Sequence, residues 1–220
     1  MRFVGIDGCP TGWIAVAWDG DGSTAAHFLP TLDALAEAVP DAAVVAIDMP
    51  IVIPEHARSS EVALRTALGP RRSSVFTTPP HVAFDAPDYA TANEAARAAT
   101  GKGISRQAWA LVPKIREVQA WLPSARMPVI EAHPEGSFAE LLGAPAAASK
   151  KTWAGMTQRL GALTAAGFDL SAVDDQAARA AVTDDLLDAA AAAWTAERYH
   201  RGVARSFPAE PDPADDVIWA

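Results

Sequence analysis

Four stretches of the chain place carboxylates where they could gather around a cation. They are Gly5-Ile6-Asp7-Gly8, Ala46-Ile47-Asp48-Met49-Pro50, Val129-Ile130-Glu131-Ala132-His133-Pro134-Glu135 and Thr183-Asp184-Asp185-Leu186-Leu187-Asp188-Ala189-Ala190. Taken singly, several have plain structural roles. Asp7-Gly8 is a turn signal, and an Asp that closes a strand before a loop is ordinary. His133 and Glu135 suit a capped strand-to-helix turn, and Asp184 and Asp185 suit the positive end of a helix dipole. Asp188 is different, because it lies a turn further in among apolar residues and shares a face with Asp185. Two strand-terminal Asp residues on neighbouring strands would repel, which raises at least one pKa or invites a cation. The expected catalytic set is Asp7, Asp48, Glu131 and Asp188. The expected metal ligands are Asp7, Asp48, Asp185 and Asp188, with the carboxylates of Asp7, Asp48 and Asp188 within about 8 Å of one another, close enough to share one ion. Oxygen-only donors point to Mg²⁺ or Mn²⁺.

Other familiar chemistries are set aside. Gly101-Lys102-Gly103-Ile104-Ser105 lacks the spacing of a phosphate-binding P-loop and reads as a turn. The five His are scattered and Cys9 is alone, so no zinc set exists. No Gly-x-Ser-x-Gly nucleophile elbow occurs.

The elements that must position the acids can be read from apolar patterning. Phe3 to Asp7, Gly12 to Asp19 and Thr24 to Leu29 read as strands, the last two joined through Gly20-Asp21-Gly22. Thr31 is placed to cap a helix whose buried face carries Leu32, Leu35 and Val39. Ala42 to Asp48 is a continuous apolar run that suits a strand buried on both faces. A right-handed crossover would set that strand beside the first, with Asp7 and Asp48 at adjacent C-terminal ends. Helices and Pro-broken loops fill 51–125, read as a mainly helical insertion in a single domain spanning 1–220. A short strand resumes at Pro128 to Glu131. Pro134 opens a helix continuing through Leu142, Ala144 to Ser149 is a loop, and Thr152 to Ala166 is helical with Gly167 as its C-cap. The last long helix runs from Asp184 to about Gly202 with Thr183 as N-cap, and its alanines from Ala189 to Ala193 allow close approach to the sheet.

At 220 residues, half of them apolar, the chain has ample material for a core without disulfide staples. The longest apolar runs fall far short of the roughly 20 residues that a bilayer requires, so no membrane role is expected. The N-terminus brings acid and glycine too early for a signal peptide, and one cysteine suits a reducing cytoplasm, the expected compartment. A net charge of −9 makes a poor general binder of nucleic acid. The charge is uneven, however. From Arg58 to Arg116 nine Lys/Arg face four Asp/Glu, a local +5 that leaves −14 for the rest. A basic insertion on an acidic body can meet a polyanion locally. Arg65, Arg72, Ser74, Lys114 and His133 are the expected substrate-binding residues, with the loop Ser73 to Thr78 between the cations and the acids.

These motifs resemble one family, the predicted RNase H-like nucleases grouped as domain of unknown function 429. The resemblance runs through Val4-Gly5-Ile6-Asp7-Gly8-Cys9 with Gly12-Trp13, Ala46-Ile47-Asp48-Met49-Pro50, Arg65 with Leu68-Gly69, and Ser73-Ser74-Val75-Phe76. It continues in Pro113-Lys114-Ile115 with Glu117, Glu131-Ala132-His133-Pro134-Glu135 with Phe138, and Asp185-Leu186-Leu187-Asp188-Ala189 with Thr195-Ala196. It departs at Ser59-Ser60-Glu61, where the family pattern has Cys-Asp or Asp before the arginine. The resemblance implies an α/β, RNase H-like fold with a mixed five-stranded sheet, flanking helices and a large helical insertion. It also implies acids from the first strand, the fourth strand and the last helix around two metal ions, cutting phosphodiesters of nucleic acid. Two alternatives stand beside that expectation. One is a non-catalytic interaction module that keeps the fold, and the other is phosphate or nucleotide handling by analogy with actin-like kinases. A single strand-Asp-Gly opening in 220 residues disfavours the latter.

Overall fold

The protein is described from a computed structural model that covers residues 1–211 and 216–220. Strands β1 (Arg2–Cys9), β2 (Gly12–Trp18) and β3 (Thr24–Leu29) pair antiparallel in sequence order. Every residue of β2 is buried, as a strand covered on both faces must be. A short 3₁₀ turn at Leu32–Ala34 and one helical turn, α1 (Leu35–Ala38), carry the chain across to β4 (Ala42–Ile47), which lies parallel to β1. Helices α2 (Ser59–Leu68), α3 (His81–Phe84), α4 (Tyr89–Thr100), α5 (Arg106–Ala110) and α6 (Val112–Trp121) then precede β5 (Val129–Glu131), which pairs parallel with β4. The order β3-β2-β1-β4-β5 makes a mixed five-stranded sheet in the RNase H-like arrangement. Helices α7 (Pro134–Leu142), α8 (Trp153–Ala165), α9 (Asp175–Ala180) and α10 (Thr183–His200) follow, and a small antiparallel pair, β6 (Ser206–Phe207) and β7 (Ile218–Trp219), completes the described chain. Among the described residues no helix is long and apolar enough to cross a membrane.

The two-residue period of the strands sorts their side chains onto two faces. Val4, Ile6, Val45 and Ile47 pack against Val112, Ile115, Val118 and Trp121 of α6. The segment read as an insertion therefore ends in a helix that is part of the main core. Phe3, Val44 and Ala46 face the other way and meet Ala192 and Ala196 of α10. The alanine run does what its small side chains permit. A Cβ added at Gly5 would stand 1.9 Å from the Ala189 carbonyl oxygen and 2.1 Å from the Ala193 nitrogen, so α10 rests on bare β1 backbone. Gly5→Ala has no flexible neighbour to displace. It is expected to cost about 1–3 kcal/mol or more through overpacking, read as a lower melting temperature, and to weaken metal binding by lifting Asp188 from Asp7. An unchanged melt would mean that α10 is not seated on β1 in this way.

Two helix starts differ from the sequence reading. Thr31 makes no side-chain cap, and the helix after it is a single turn. The Glu117 carboxylate of α6 takes the capping part instead, accepting from the Leu32 backbone N–H at 3.1 Å and from the Trp13 indole N–H at 2.8 Å. Leu32, Leu35 and Val39 are buried as expected. The last helix takes Val182, not Thr183, as its N-cap, because the Asp185 carboxylate folds back to accept the Val182 N–H at 3.0 Å. At the end of α8 the cap residue is Ala166, with Gly167 one place beyond it in the left-handed region.

Candidate metal centre

The parallel register of β1 and β4 pairs Ile6 with Ile47, so the next residues, Asp7 within β1 and Asp48 just past β4, stand side by side on the same face. That face is the one α10 covers. The helix brings in Asp188 from its second turn, where the side chain is buried. One carboxylate oxygen from each of Asp7, Asp48 and Asp188 lies within 4.8 Å of the other two. The expected proximity is met. Oxygens about 2.1 Å from an octahedral Mg²⁺ stand about 3.0 Å apart when adjacent and about 4.2 Å apart when opposite, so an inward movement of these side chains would close the set on one hard cation. The donor chemistry fits as well, since all three groups are carboxylates.

Electrostatics supports the same reading. Burial, then the neighbouring charges of Asp48 and Asp188, push the Asp7 carboxyl well above the usual carboxylate range. Burial lifts Asp48 to about 6 and Asp188 to about 6, with Lys150 pulling both back. Three acids that resist joint ionisation on their own are a set that a divalent ion would stabilise.

The sequence reading passed over Lys150. Its ammonium is ion-paired to the Asp188 carboxylate and lies 3.5 Å from that of Asp184. It reaches the acids from the loop between α7 and α8, and that loop is clamped. Arg159, buried beneath it, donates to the Ala148 carbonyl at 3.1 Å and forks both oxygens of Glu135 at 2.7 Å. Arg71 donates to the Ala146 carbonyl at 2.7 Å. Thr152 folds back onto the Ser149 carbonyl, and a Cβ at Gly155 would stand 2.0 Å from that oxygen, so the turn bearing Lys150 is pressed onto α8. A signal was present. Two lysines directly before a helix start run against the helix dipole, which favours anions there, and they therefore need another reason to be present.

A cleft of about 320 Å³ opens over the acids. Asp7, Asp48, Asp185, Asp188, His133 and Lys150 line its floor and sides, and Ser73, Ser74, Phe76, Gln107 and Leu111 bring the 51–125 segment over it. The other expected site residues are divided. Ser74 is in the wall, its hydroxyl donating to the Arg71 carbonyl at 2.9 Å. His133 is in the wall too, with its Nδ1 buried and without a hydrogen-bond partner among the described residues. Burial outweighs Asp188 and Glu135 to lower its pKa, so the ring is neutral at pH 7. Asp185 reaches the cleft but spends one oxygen on the helix start and stands outside the close triad. Arg72 is exposed on the 3₁₀ turn Gly69–Ser74.

Three residues do not behave as expected. Arg65 turns inward to the Val75 carbonyl, Thr77 and Glu61, where it fixes the backbone on either side of Phe76. Lys114 donates to the Gly12 carbonyl at 2.6 Å and covers the Trp13 ring at 4.1 Å, lining a hollow beside the cleft. Glu131 does not join the acids. It pairs in register with Ile47, one residue short of Asp48, so the two-residue period points it to the opposite face. There Arg58 forks both its oxygens at 2.7 Å, and the Ile51 N–H donates at 3.0 Å.

No curated protein and no solved structure matches this chain. The family model described as "Protein of unknown function (DUF429)" matches residues 5–213, nearly the whole length, and the chain belongs to that family.

Proposed function

We propose that the chain is a divalent-metal-dependent phosphodiesterase of the RNase H-like type, acting on nucleic acid with Mg²⁺ or Mn²⁺. The observation that carries this reading is the convergence of Asp7, Asp48 and Asp188, from two adjacent strands and a helix, with oxygens within 4.8 Å. A bound divalent ion would supply Lewis-acid activation of water and neutralisation of phosphate charge. The chain's own residues would do the rest. The triad holds the ion, and the clamped Lys150 presents a fixed positive charge at the same floor. Neutral His133 and Ser74 offer hydrogen bonds along the wall, while exposed Arg72, the neighbour of the wall residue Ser73, can meet a substrate phosphate. Phe76 and Leu111 give the wall an apolar stretch against which a base or sugar can rest.

The test is cleavage of single-stranded, duplex, hybrid and branched nucleic acids by the full chain, with Mg²⁺ or Mn²⁺ and with a chelator. Cleavage of at least one substrate is expected with metal and none in the chelator. The acidic net charge favours the competing non-catalytic module. That reading takes over if no substrate is cut under any metal and Mn²⁺ leaves the melting temperature unchanged.

A further inference from the structure

We infer that Lys150 is the resident second cation of this centre, so that the site takes one divalent ion and not two. The inference rests on the metal-dependent reading above and concerns its stoichiometry and charge plan. Five carboxylates crowd the cleft floor and its rim: Asp7, Asp48, Asp184, Asp185 and Asp188. Three of them, Asp7, Asp48 and Asp188, have the spacing for one ion. A second ion would have to draw on the remaining acids, Asp184 and Asp185, and share Asp188 with the first. Asp188 is already engaged by a cation, because the Lys150 ammonium pairs with it and sits 3.5 Å from Asp184, while Asp185 gives an oxygen to the helix start.

The placement is built into the fold. The loop is tied down by two buried or half-buried arginines on its carbonyls and by the turn onto Thr152, so the lysine stem starts from a fixed point. The side chain is 35 % exposed, which leaves the ammonium reachable from the cleft. A compact point charge with rotatable donors is suited to a phosphate oxygen whose charge grows during displacement. A lysine that holds this place makes a second divalent ion redundant, and its charge disfavours one electrostatically.

The experiment counts Mn²⁺ on the full chain by calorimetric titration and by the electron paramagnetic resonance of the bound ion. It compares the native protein with Lys150→Met and Lys150→Arg. The native protein and Lys150→Arg are expected to bind one Mn²⁺ with the spectrum of an isolated ion. Lys150→Met is expected to bind two that are magnetically coupled. Melting curves with and without Mn²⁺ establish that each variant is folded, and Lys150→Arg keeps the test open if the Met variant does not fold. Two coupled Mn²⁺ in the native protein would mean that the lysine yields its place to metal, which overturns the inference and leaves the proposed activity intact. One Mn²⁺ in Lys150→Met also overturns it. No Mn²⁺ on the native protein removes the metal reading itself, and this inference with it.

Discussion

Asp7→Asn is expected to abolish metal-dependent cleavage while raising the melting temperature of the metal-free protein. The activity should fall on the order of 10⁴-fold, the scale seen when one member of a tightly coupled catalytic set is removed. The amide is a poor ligand for a hard cation, and Asp7 lies close to both other acids at the sheet-and-helix junction. The substitution is gentle on the fold, because the Gly8 N–H that donates to the Asp7 carboxylate at 2.7 Å finds the same acceptor in an asparagine oxygen. Removing the charge relieves repulsion from Asp48 and Asp188. Each kcal/mol of that relief is worth about 2–4 °C in a protein of this size. Activity and stability thus move in opposite directions, which a turn-forming aspartate would not produce.

The stability gain carries its own pH signature. Asp7 has a folded pKa raised above its unfolded value, so the folded state binds the extra proton and stability falls as pH rises through that folded pKa. Below the unfolded value, 3.8, the native and asparagine proteins are both uncharged at this position. The difference in melting temperature between Asp7→Asn and the native protein should therefore grow as pH rises above 3.8 toward the raised folded pKa and shrink as pH falls back. Asp48 and Asp188, lifted to about 6, take up protons over the same interval and relax the repulsion further. Taking the difference between the two proteins cancels the opposing contribution of His27 and His133, whose pKa values are lowered by burial. A difference that is constant between pH 5 and pH 8 would remove the repulsion argument. Saturating Mn²⁺ should reverse the order of the two melts, since only the native protein keeps the full ligand set.

What could be read from the sequence follows from which signals are periodic. Asp7 and Asp48 were legible because each closes an apolar run, and the right-handed crossover puts the two runs side by side, although β1 itself continues past Asp7 to Cys9. Asp188 was legible because a carboxylate set among the alanines of a packed helix must be paired or must hold an ion. Glu131 was misplaced for a reason of the same kind. The sequence marks it as the last residue of a strand, but which face it takes depends on register, and a shift of one residue sends the side chain to the other face. The basic segment was visible as a local +5, yet composition does not say which cations are spent on the fold. Arg65 and Lys114 cap carbonyls and cover a ring, whereas Arg72 is exposed. Lys150 lay in a loop without periodicity, held by Arg159 of the next helix and by Arg71, whose contact on Ala146 spans 75 residues.

Arg58 offers the largest expected loss of stability and the sharpest test of whether Glu131 takes part in chemistry. Its side chain is 2 % exposed, and its guanidinium forks Glu131, ion-pairs with Asp216 and donates to the Thr78 hydroxyl at 3.2 Å. Glu61 stands 4.0 Å away and receives the Thr78 N–H and Arg65, so the network ties α2 and the segment 75–78, which carries Phe76, to β5. Arg58→Ala leaves Glu131 as a buried carboxylate with the Ile51 N–H as its remaining donor among the described residues. Breaking a buried pair in this way costs about 3–5 kcal/mol, roughly 6–20 °C of melting temperature. Replacing the pair together, Arg58→Met with Glu131→Met, removes both buried charges and should recover most of that loss. If Glu131 is an anchor, the double variant also keeps metal binding and cleavage near the native level, because Asp7, Asp48 and Asp188 on the opposite face are untouched. If Glu131 is catalytic, Glu131→Gln alone, folded and melting close to the native protein, would lose activity on the scale of Asp7→Asn. The register of β4 and β5 favours the first result, since the backbone pairing by itself directs Glu131 away from Asp48.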